Sequence, residues 1–246
     1  MELADQVQNI EQMKRRLQRK LDRSRRATNP NNYADNGTIR RGVKLTHNKS
    51  NRYRRTQREL RYLQHCQAEI RKRQHIELAN HLLALGDCFY VEDMAWPSLT
   101  HRAKEAAISE KTGRIKRKKR FGKSVANKAP ATLIGILEQK CNSLGLPGVM
   151  KVPTSLRASQ YNHQSGEYTS KPLSQRWNDM PDGERIQRDL YSAFLLQHYD
   201  PQAGNFNSAL LQQDYPQFVQ YHYRAIQRLS TAPKTLSSMG IQRSLR

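Results

Sequence analysis

A short apolar run that ends in two acids constrains this chain most. Residues 88–91, Cys-Phe-Tyr-Val, are continuously apolar and rich in β-formers, and Glu92 and Asp93 follow directly. A run of this length after Gly86, which can end a preceding helix, predicts a strand buried on both faces. Glu92 then falls at the end of the strand. Either these acids open a solvated loop, or they belong to a site that takes another acid from elsewhere in the chain.

A candidate for that other acid is Asp189, in a segment predicted to be a helix from about Gly183. On that helix Asp189 falls on the apolar stripe, so we expect it to be buried, with Arg188 pointing elsewhere. The stripe consists of Ile186, Asp189, Ala193 and Leu196. A buried carboxylate must be protonated, paired or bound to a cation. A salt bridge to an Arg or Lys and a metal site are both open.

The charge balance points to a polyanionic partner. There are 43 Lys and Arg residues against 21 Asp and Glu, giving a net charge of +22 and a pI of about 10.3, as in nucleic-acid-binding proteins. No apolar run is long enough to cross a membrane, and Met1 leads into a polar helix rather than a signal segment. We therefore expect a cytoplasmic protein with no membrane partner. The cysteines are Cys66, Cys88 and Cys141; they lie singly and are expected to be reduced packing residues.

Two long basic helices are predicted before the apolar run. One spans about 2–26 and the other about 52–85, and the turn-rich basic segment 27–51 joins them into an antiparallel hairpin. The cations of the first helix would repel one another on a merely solvated coiled-coil face, and arginine forks suit phosphate. The candidate nucleic-acid contacts are Arg15, Arg16, Arg19, Arg23, Arg25, Arg26, Arg40, Arg41, Arg54, Arg55 and Arg58.

A second basic region lies in the loose segment 98–130, where Phe121 stands beside a dense run of cations. Such a run is either a solvated linker or a loop that lies on nucleic acid, and the neighbouring acidic site favours the loop. Its candidate contacts are Arg114, Lys116, Arg117, Lys118, Lys119, Arg120 and Lys123.

The remainder predicts an α/β layer followed by a helical end. A helix over 131–144 and a strand over 149–152 complete a strand-helix-strand unit. His163 has no Cys or second His at ligand spacing, which argues against zinc and favours a hydrogen-bonded structural histidine. Trp177 and Tyr161 are expected to pack rather than stack on bases. Two short helices, over 207–213 and 216–229, should precede a disordered basic tail.

Taken in order, these motifs resemble those of a known family. The hairpin, the strand ending in Val91-Glu92-Asp93, the basic loop, Val152-Pro153-Thr154-Ser155, Asp182-Gly183 and Arg188-Asp189-Leu190 with Ala193 are similar to the C-terminal, RuvC-like half of the OrfB/TnpB-type transposon proteins. These are RNA-guided nucleases to which type V CRISPR effectors are related. The resemblance covers most of residues 1–200.

The resemblance implies a helix-rich α/β fold with an incomplete RNase H-like (RuvC-like) domain and metal-dependent DNA endonuclease ancestry. Glu92 and Asp189 would match the family's second and third catalytic acids, which hold Mg²⁺ or Mn²⁺. The expected domains are the hairpin over 1–86, the nuclease core over 87–200 and a helical extension with its tail over 201–246. DNA and a guide-type RNA are the implied partners, and transposition is the implied process.

Three departures from the family pattern qualify this expectation. No Gly-x-Asp-x-Gly strand precedes Glu2, the stretch from Ser155 to Asp182 has no cysteine for the family's zinc ribbon, and Tyr191 and Ser192 stand where the family shows Asn-Ala. We therefore expect a truncated, zinc-free member that binds nucleic acid and does not cut by itself, unless another chain supplies the missing strand. The alternative is a non-catalytic basic helical RNA- or DNA-binding protein whose acids are structural.

Overall fold

The computed structural model describes residues 5–35, 37–40, 42, 44–100, 121–172, 174–232 and 239–242. The chain forms two compact units. The helical unit comprises Met1–Gly86 with Trp96–Ser143, and the C-terminal unit comprises Asp87–Ala95 with Leu144–Arg246. All the described strands lie in the C-terminal unit. The protein is therefore helix-rich α/β, and the sequence prediction is confirmed for this fold class.

The predicted antiparallel hairpin is the main feature of the helical unit. Helix α1 spans Gln8–Thr28 and helix α2 spans Asn51–Leu83, close to the predicted limits. The α2 N-terminus is capped by Ser50, whose Oγ accepts a hydrogen bond of 3.1 Å from the backbone N–H of Tyr53. Leu17, Leu21 and Tyr53 are buried along the seam. Seam positions recur at intervals of three and four residues, as in a coiled coil.

Asparagine side chains pin the segment that joins the two helices. The Asn29 amide donates to the carbonyls of Arg25 and Asn48, each at 3.0 Å, and its oxygen accepts from the Asn48 backbone N–H at 2.6 Å. Asn32 donates to the Thr46 carbonyl at 2.6 Å. Because both amides are buried, these bonds satisfy polar groups that would otherwise be costly. They hold two distant stretches of the connection together.

The described part of the helical unit contains three further α-helices. They are α3 (Trp96–Thr100), α4 (Phe121–Lys128) and α5 (Pro130–Leu144). Arg71 of α2 donates to the carbonyls of Ala126 and Asn127, and the buried His75 ring donates through Nε2 to the Lys128 carbonyl at 2.9 Å. Helix α2 is thus joined to the end of α4. Among the described helices, none has both the length and the apolar character needed to cross a bilayer.

The order strand, helix, strand is as predicted, but α5 belongs to the helical unit, so the C-terminal unit begins with two parallel strands. Strand β1 (Cys88–Glu92) runs parallel to β2 (Gly148–Val152), with Cys88 opposite Gly148 and Glu92 opposite Val152. Strand β1 is half-buried along its length, so the prediction of burial on both faces is wrong. In the described part of the chain β2 is its only paired neighbour, which leaves β1 at a sheet edge.

In the described residues of this unit, four short strands and two α-helices follow. Strands β3 (Trp177–Asp179) and β4 (Arg185–Gln187) are antiparallel, as are β5 (Tyr199–Asp200) and β6 (Asn205–Phe206). Helix α6 spans Arg188–Gln197 and α7 spans Ser208–Ser230. The core between them is formed by Ala158, Met180, Ile186, Tyr191, Phe194, Leu195, Phe206, Leu211 and Tyr215.

Two helix predictions in this unit are wrong. No helix begins near Gly183, because residues 185–187 pair with β3 and α6 begins only at Arg188. The two helices predicted over 207–213 and 216–229 are one helix, α7, with Pro216 inside it. Pro216 removes a backbone donor, yet Leu211 and Tyr215 before it and Phe218 after it pack on the same core, which keeps the helix continuous.

Part of the predicted disordered tail is ordered. Residues 239–242, which we call the C-terminal strap, pack on the β3–β4 hairpin. The Gly240 carbonyl accepts from Trp177 Nε1 at 3.1 Å, the Met239 carbonyl accepts from Gln187 Nε2 at 3.2 Å, and Ile241 is buried. The expectation of disorder is therefore wrong for these residues, because the Ile241 side chain is buried and the carbonyls of Met239 and Gly240 accept hydrogen bonds.

Candidate functional site

Glu92 is the last residue of β1. Two backbone hydrogen bonds follow the end of the strand. The Asp93 N–H donates to the Val152 carbonyl at 2.9 Å, and the Met94 N–H donates to the Glu92 carbonyl at 2.8 Å. Glu92 is half-buried, and within the described ranges its carboxylate has neither a hydrogen bond nor an ion pair. Such a half-buried carboxylate is satisfied by water or by a bound cation.

Asp189 lies in the first turn of α6, where a carboxylate is favoured by the helix dipole. The predicted burial is wrong, since 45% of its side chain is exposed. The buried face of α6 carries Arg188, Tyr191, Phe194 and Leu195 instead. Arg188 also does not point away, because its Nε lies 3.6 Å from Asp189 Oδ1. A salt bridge was one of the two alternatives that the sequence left open for Asp189. Asp189 forms it with the preceding residue, Arg188.

The two acids are carried by neighbouring elements of the C-terminal unit. Helix α6 packs against β1, with Glu92 at the end of the strand and Asp189 at the start of the helix. In the described part of the chain, no group of three or more His, Cys, Asp or Glu side chains is arranged to hold a metal ion. The described residues thus supply two carboxylates on packed elements, and no third ligand of these types is found beside them in this part of the chain.

Gln187 positions Asp189 and was missed by the sequence reasoning. Its buried side chain caps α6 by accepting from the Leu190 N–H at 2.8 Å, and its amide donates to Asp189 Oδ2 and to the Met239 carbonyl, both at 3.2 Å. Its backbone N–H donates to His222 Nε2 at 3.0 Å. One residue therefore connects the acid, the helix start and the C-terminal strap. A Gln directly before an acidic first turn was the only available signal.

His163 is a structural histidine, as the sequence predicts. Its backbone N–H donates to the Tyr191 hydroxyl at 3.0 Å, and that hydroxyl lies 2.7 Å from His163 Nδ1. The hydroxyl therefore donates to Nδ1, which places the ring proton on Nε2. Burial lowers the pKa of His163 and raises the pKa of Tyr191, so both are neutral near pH 7. Trp177 and Tyr161 also pack, as expected.

The hairpin carries two exposed rows of arginines. The α1 face consists of Arg15, Arg16, Arg19 and Arg23, and the α2 face consists of Arg54, Arg55, Arg58 and Arg61. None of them has an ion pair with a described residue. Arginines that lack acidic partners leave their full charge on the surface, which suits a polyanion.

Three other predicted contacts hold the hairpin connection instead. Arg25 donates to the Tyr53 hydroxyl at 3.3 Å, Arg26 pairs with Asp22 and donates to the Gly37 carbonyl, and Arg40 donates to the Tyr33 carbonyl. Lys123 lies in α4. The remaining predicted contacts lie outside the described residues; they are Arg41, Arg114, Lys116, Arg117, Lys118, Lys119 and Arg120.

No protein-family model matches this chain, and no curated protein sequence matches it. The resemblance to the OrfB/TnpB-type proteins rests on the motifs in the sequence alone.

Proposed function

We propose that this protein binds nucleic acid through the arginine faces of its helical hairpin. The single observation that carries this proposal is the set of exposed arginines on α1 and α2 that have no ion pair with any described residue. Arginines three and four residues apart on one helix face repel one another. A row of phosphates neutralises them and releases counterions, which makes binding favourable and salt-dependent.

The test is a salt titration of duplex DNA binding. We expect the affinity of the unaltered protein to fall by about two orders of magnitude between 50 and 200 mM salt, since about four phosphate contacts give a slope near −3.6. Replacing all the arginines of the α1 and α2 faces by Gln, a good helix former, should abolish most of this binding. Circular dichroism checks that the helices are retained.

The matched control removes charge from the C-terminal unit. Among the described residues of this unit, the exposed arginines are Arg157, Arg185, Arg224 and Arg228. Replacing these by Gln should change the affinity by only a few fold. A salt-independent affinity, or equal losses in the face variant and the control, contradicts the proposal.

We further propose that the C-terminal unit derives from an RNase H-like nuclease of the TnpB type, with Glu92 and Asp189 as its remaining acids. Two observations support this second candidate: the Glu92 carboxylate has no partner among the described residues, and α6 packs on β1. In this proposal DNA and a guide-type RNA are the ligands. The competing proposal, a purely structural role for both acids, is supported by the Arg188–Asp189 ion pair.

The donor set fits a divalent cation only in part. Mg²⁺ is commonly held by one or two carboxylates with water and substrate phosphate, so two acids suffice for one ion. Asp189, however, is already engaged by Arg188 and Gln187, and a metal would have to displace the guanidinium. We therefore assign no cleavage step to this chain.

Thermal melts with and without Mn²⁺ test the metal proposal. Preferential binding to the folded state raises the melting temperature, and Glu92→Gln or Asp189→Asn should remove that rise. Glu167→Gln, at an exposed loop position, is the control that should retain it. If Mn²⁺ has the same effect on all four proteins, the acids are structural and the non-catalytic binding protein is the better description.

A further inference from the structure

The two helices of the hairpin meet along one face each. Ser24 Oγ lies 3.2 Å from Ser50 Oγ, and Arg25 donates to the Tyr53 hydroxyl. At the other end, Gln67 donates to Glu11 at 3.0 Å and also contacts Lys14. These contacts fix an antiparallel register and identify the seam side of each helix.

The arginine faces lie on the sides of the helices away from this seam. At about 100° per residue, the seam positions of α1, such as Leu17 and Leu21, point roughly opposite to the α1 face. On α2 the seam positions Tyr53 and Thr56 likewise point opposite to the α2 face. The two faces therefore point away from each other, with both helices between them.

The dimensions prevent one straight duplex from contacting both faces. Packed helix axes lie about 8–10 Å apart and each helix with its side chains is about 10–12 Å wide, so the faces are separated by about 20 Å. The α1 face is about 12 Å long at 1.5 Å per residue, which matches about seven duplex phosphates at one per 1.7 Å. Each face alone is long enough to hold one segment of duplex.

The described contacts leave both faces open. The contacts of α2 with the end of α4 involve Arg71 and His75, which are beyond the arginine row along the helix. The described ion pairs of the hairpin are Glu11–Lys14, Asp22–Arg26 and Arg73–Glu77, and none of them includes an arginine of either face.

We propose that the hairpin is a bivalent connector that holds two double-stranded nucleic-acid segments at once, one on each face. This inference rests on the proposed nucleic-acid binding and adds the arrangement of the ligands. Its consequence is that each face binds independently, whereas bridging requires both.

A bead-capture assay tests the connector directly. An immobilised DNA duplex is mixed with a fluorescent duplex of a different sequence, and the fluorescence retained by the beads measures bridging. The variants replace the four arginines of the α1 face, or those of the α2 face, by Gln. The control replaces Arg157, Arg185, Arg224 and Arg228 by Gln.

We expect the unaltered protein and the control to bridge, and each single-face variant to lose at least 10-fold of the retained fluorescence. Binding of one duplex to each single-face variant should fall by only about twofold, because one of two equivalent faces remains. The salt slope of this binding should stay near −3.6, the value for about four phosphates.

The outcomes separate the inference from the function on which it rests. Bridging that persists in both single-face variants would mean that two protein copies each hold one duplex, and would overturn the connector. A salt slope near −7 that halves in each variant would mean that one duplex segment contacts both faces. That result would also overturn the connector. Failure of the unaltered protein to bind any duplex would instead overturn the proposed nucleic-acid binding.

Discussion

The hairpin and the C-terminal unit use their side chains in opposite ways. Buried seam positions of the hairpin include the polar residues Thr56 and Gln67, and the arginines of the α1 and α2 faces point outward. In the C-terminal unit, aromatic rings pack against one another in the core, as where Phe194 stacks on Phe218 at 4.4 Å and lies 4.6 Å from His198. Stability is therefore expected to depend on the C-terminal core, and ligand affinity on the hairpin surface.

Removing the central ring of the C-terminal core should have the largest effect on stability. Phe194 is 5% exposed and contacts the rings of His163, Tyr215 and Phe218. Phe194→Ala is expected to lower the free energy of unfolding by about 3–5 kcal/mol through lost burial and a residual cavity. Denaturant unfolding measures this change.

The control for this variant is Tyr221→Ala, on the exposed side of α7, which should cost about 0.5 kcal/mol or less. Duplex affinity at a temperature where both variants are folded should equal that of the unaltered protein. A large loss of affinity in Phe194→Ala would break the division of roles between the two regions.

Acidic pH should destabilise the C-terminal unit next most strongly. Burial lowers the pKa of His163 and His222 below the ordinary 6.5, although the charges of Asp182 and Glu184, respectively, act in the opposite direction. The unfolded chain therefore takes up protons first as pH falls below about 6.5. Stability is fully present above that pH and declines below it, by up to about 1.4 kcal/mol per pH unit for each histidine.

Unfolding measured from pH 7.5 to 5 checks this dependence. His163→Gln and His222→Gln should each reduce the acid slope, whereas His81→Gln, at an exposed position of α2, should leave it unchanged. The same slope in all three variants would mean that carboxylates, and not the buried imidazoles, govern acid unfolding.

Local periodicity was sufficient to predict the hairpin but not the start of α6. The spacing of apolar residues on α1 and α2 determines both the seam and the arginine faces, so hairpin and surface follow from the sequence together. At residues 185–187, by contrast, pairing with β3 overrides the helical pattern. This pairing depends on a hairpin partner and not on the local pattern, so a helix-period argument misses it.

The same error explains why Asp189 was misplaced. Including Ile186 in the helical stripe set the wrong phase, because Ile186 belongs to β4 and only later residues share the helix periodicity. The true buried face begins at Arg188, one residue before the acid. Gln187 could not be recognised as the cap without knowing where the helix begins. Sequence motifs were sufficient to single out the two acids as candidates. The residues that contact them could not be predicted, because those contacts depend on the tertiary structure.

Gln187 connects the acid to the rest of the C-terminal unit, and Gln187→Glu separates its functions. The carboxylate can still cap α6 but cannot donate to Asp189 or to the Met239 carbonyl. Burying it beside Asp189 is expected to cost about 1–3 kcal/mol. Gln217→Glu, on the exposed side of α7, is the control. Equal unfolding free energies for the two variants would remove Gln187 from its positioning role.

Gly240 of the C-terminal strap leaves no room for a side chain. Its φ is +71°, and an added Cβ would lie 2.7 Å from Arg176 Cβ. Gly204 has a similar φ of +64° but nothing within 4 Å of its would-be Cβ. Gly204→Ala therefore has only the left-handed backbone cost, about 1–2 kcal/mol, whereas Gly240→Ala has that cost and the steric clash. Both are measured by denaturant unfolding.

The strap itself sets an upper limit on the cost of Gly240→Ala. If the clash costs more than docking contributes, the strap undocks and the variant should match a chain that ends at Ala232. Loss of the bond from Trp177 Nε1 to the Gly240 carbonyl should then shift the Trp177 emission, measured in a Trp96→Phe background so that it is the sole tryptophan. An unchanged spectrum together with the stability of the unaltered protein would mean that the strap stays docked and accommodates the added methyl group, which would contradict the predicted clash with Arg176.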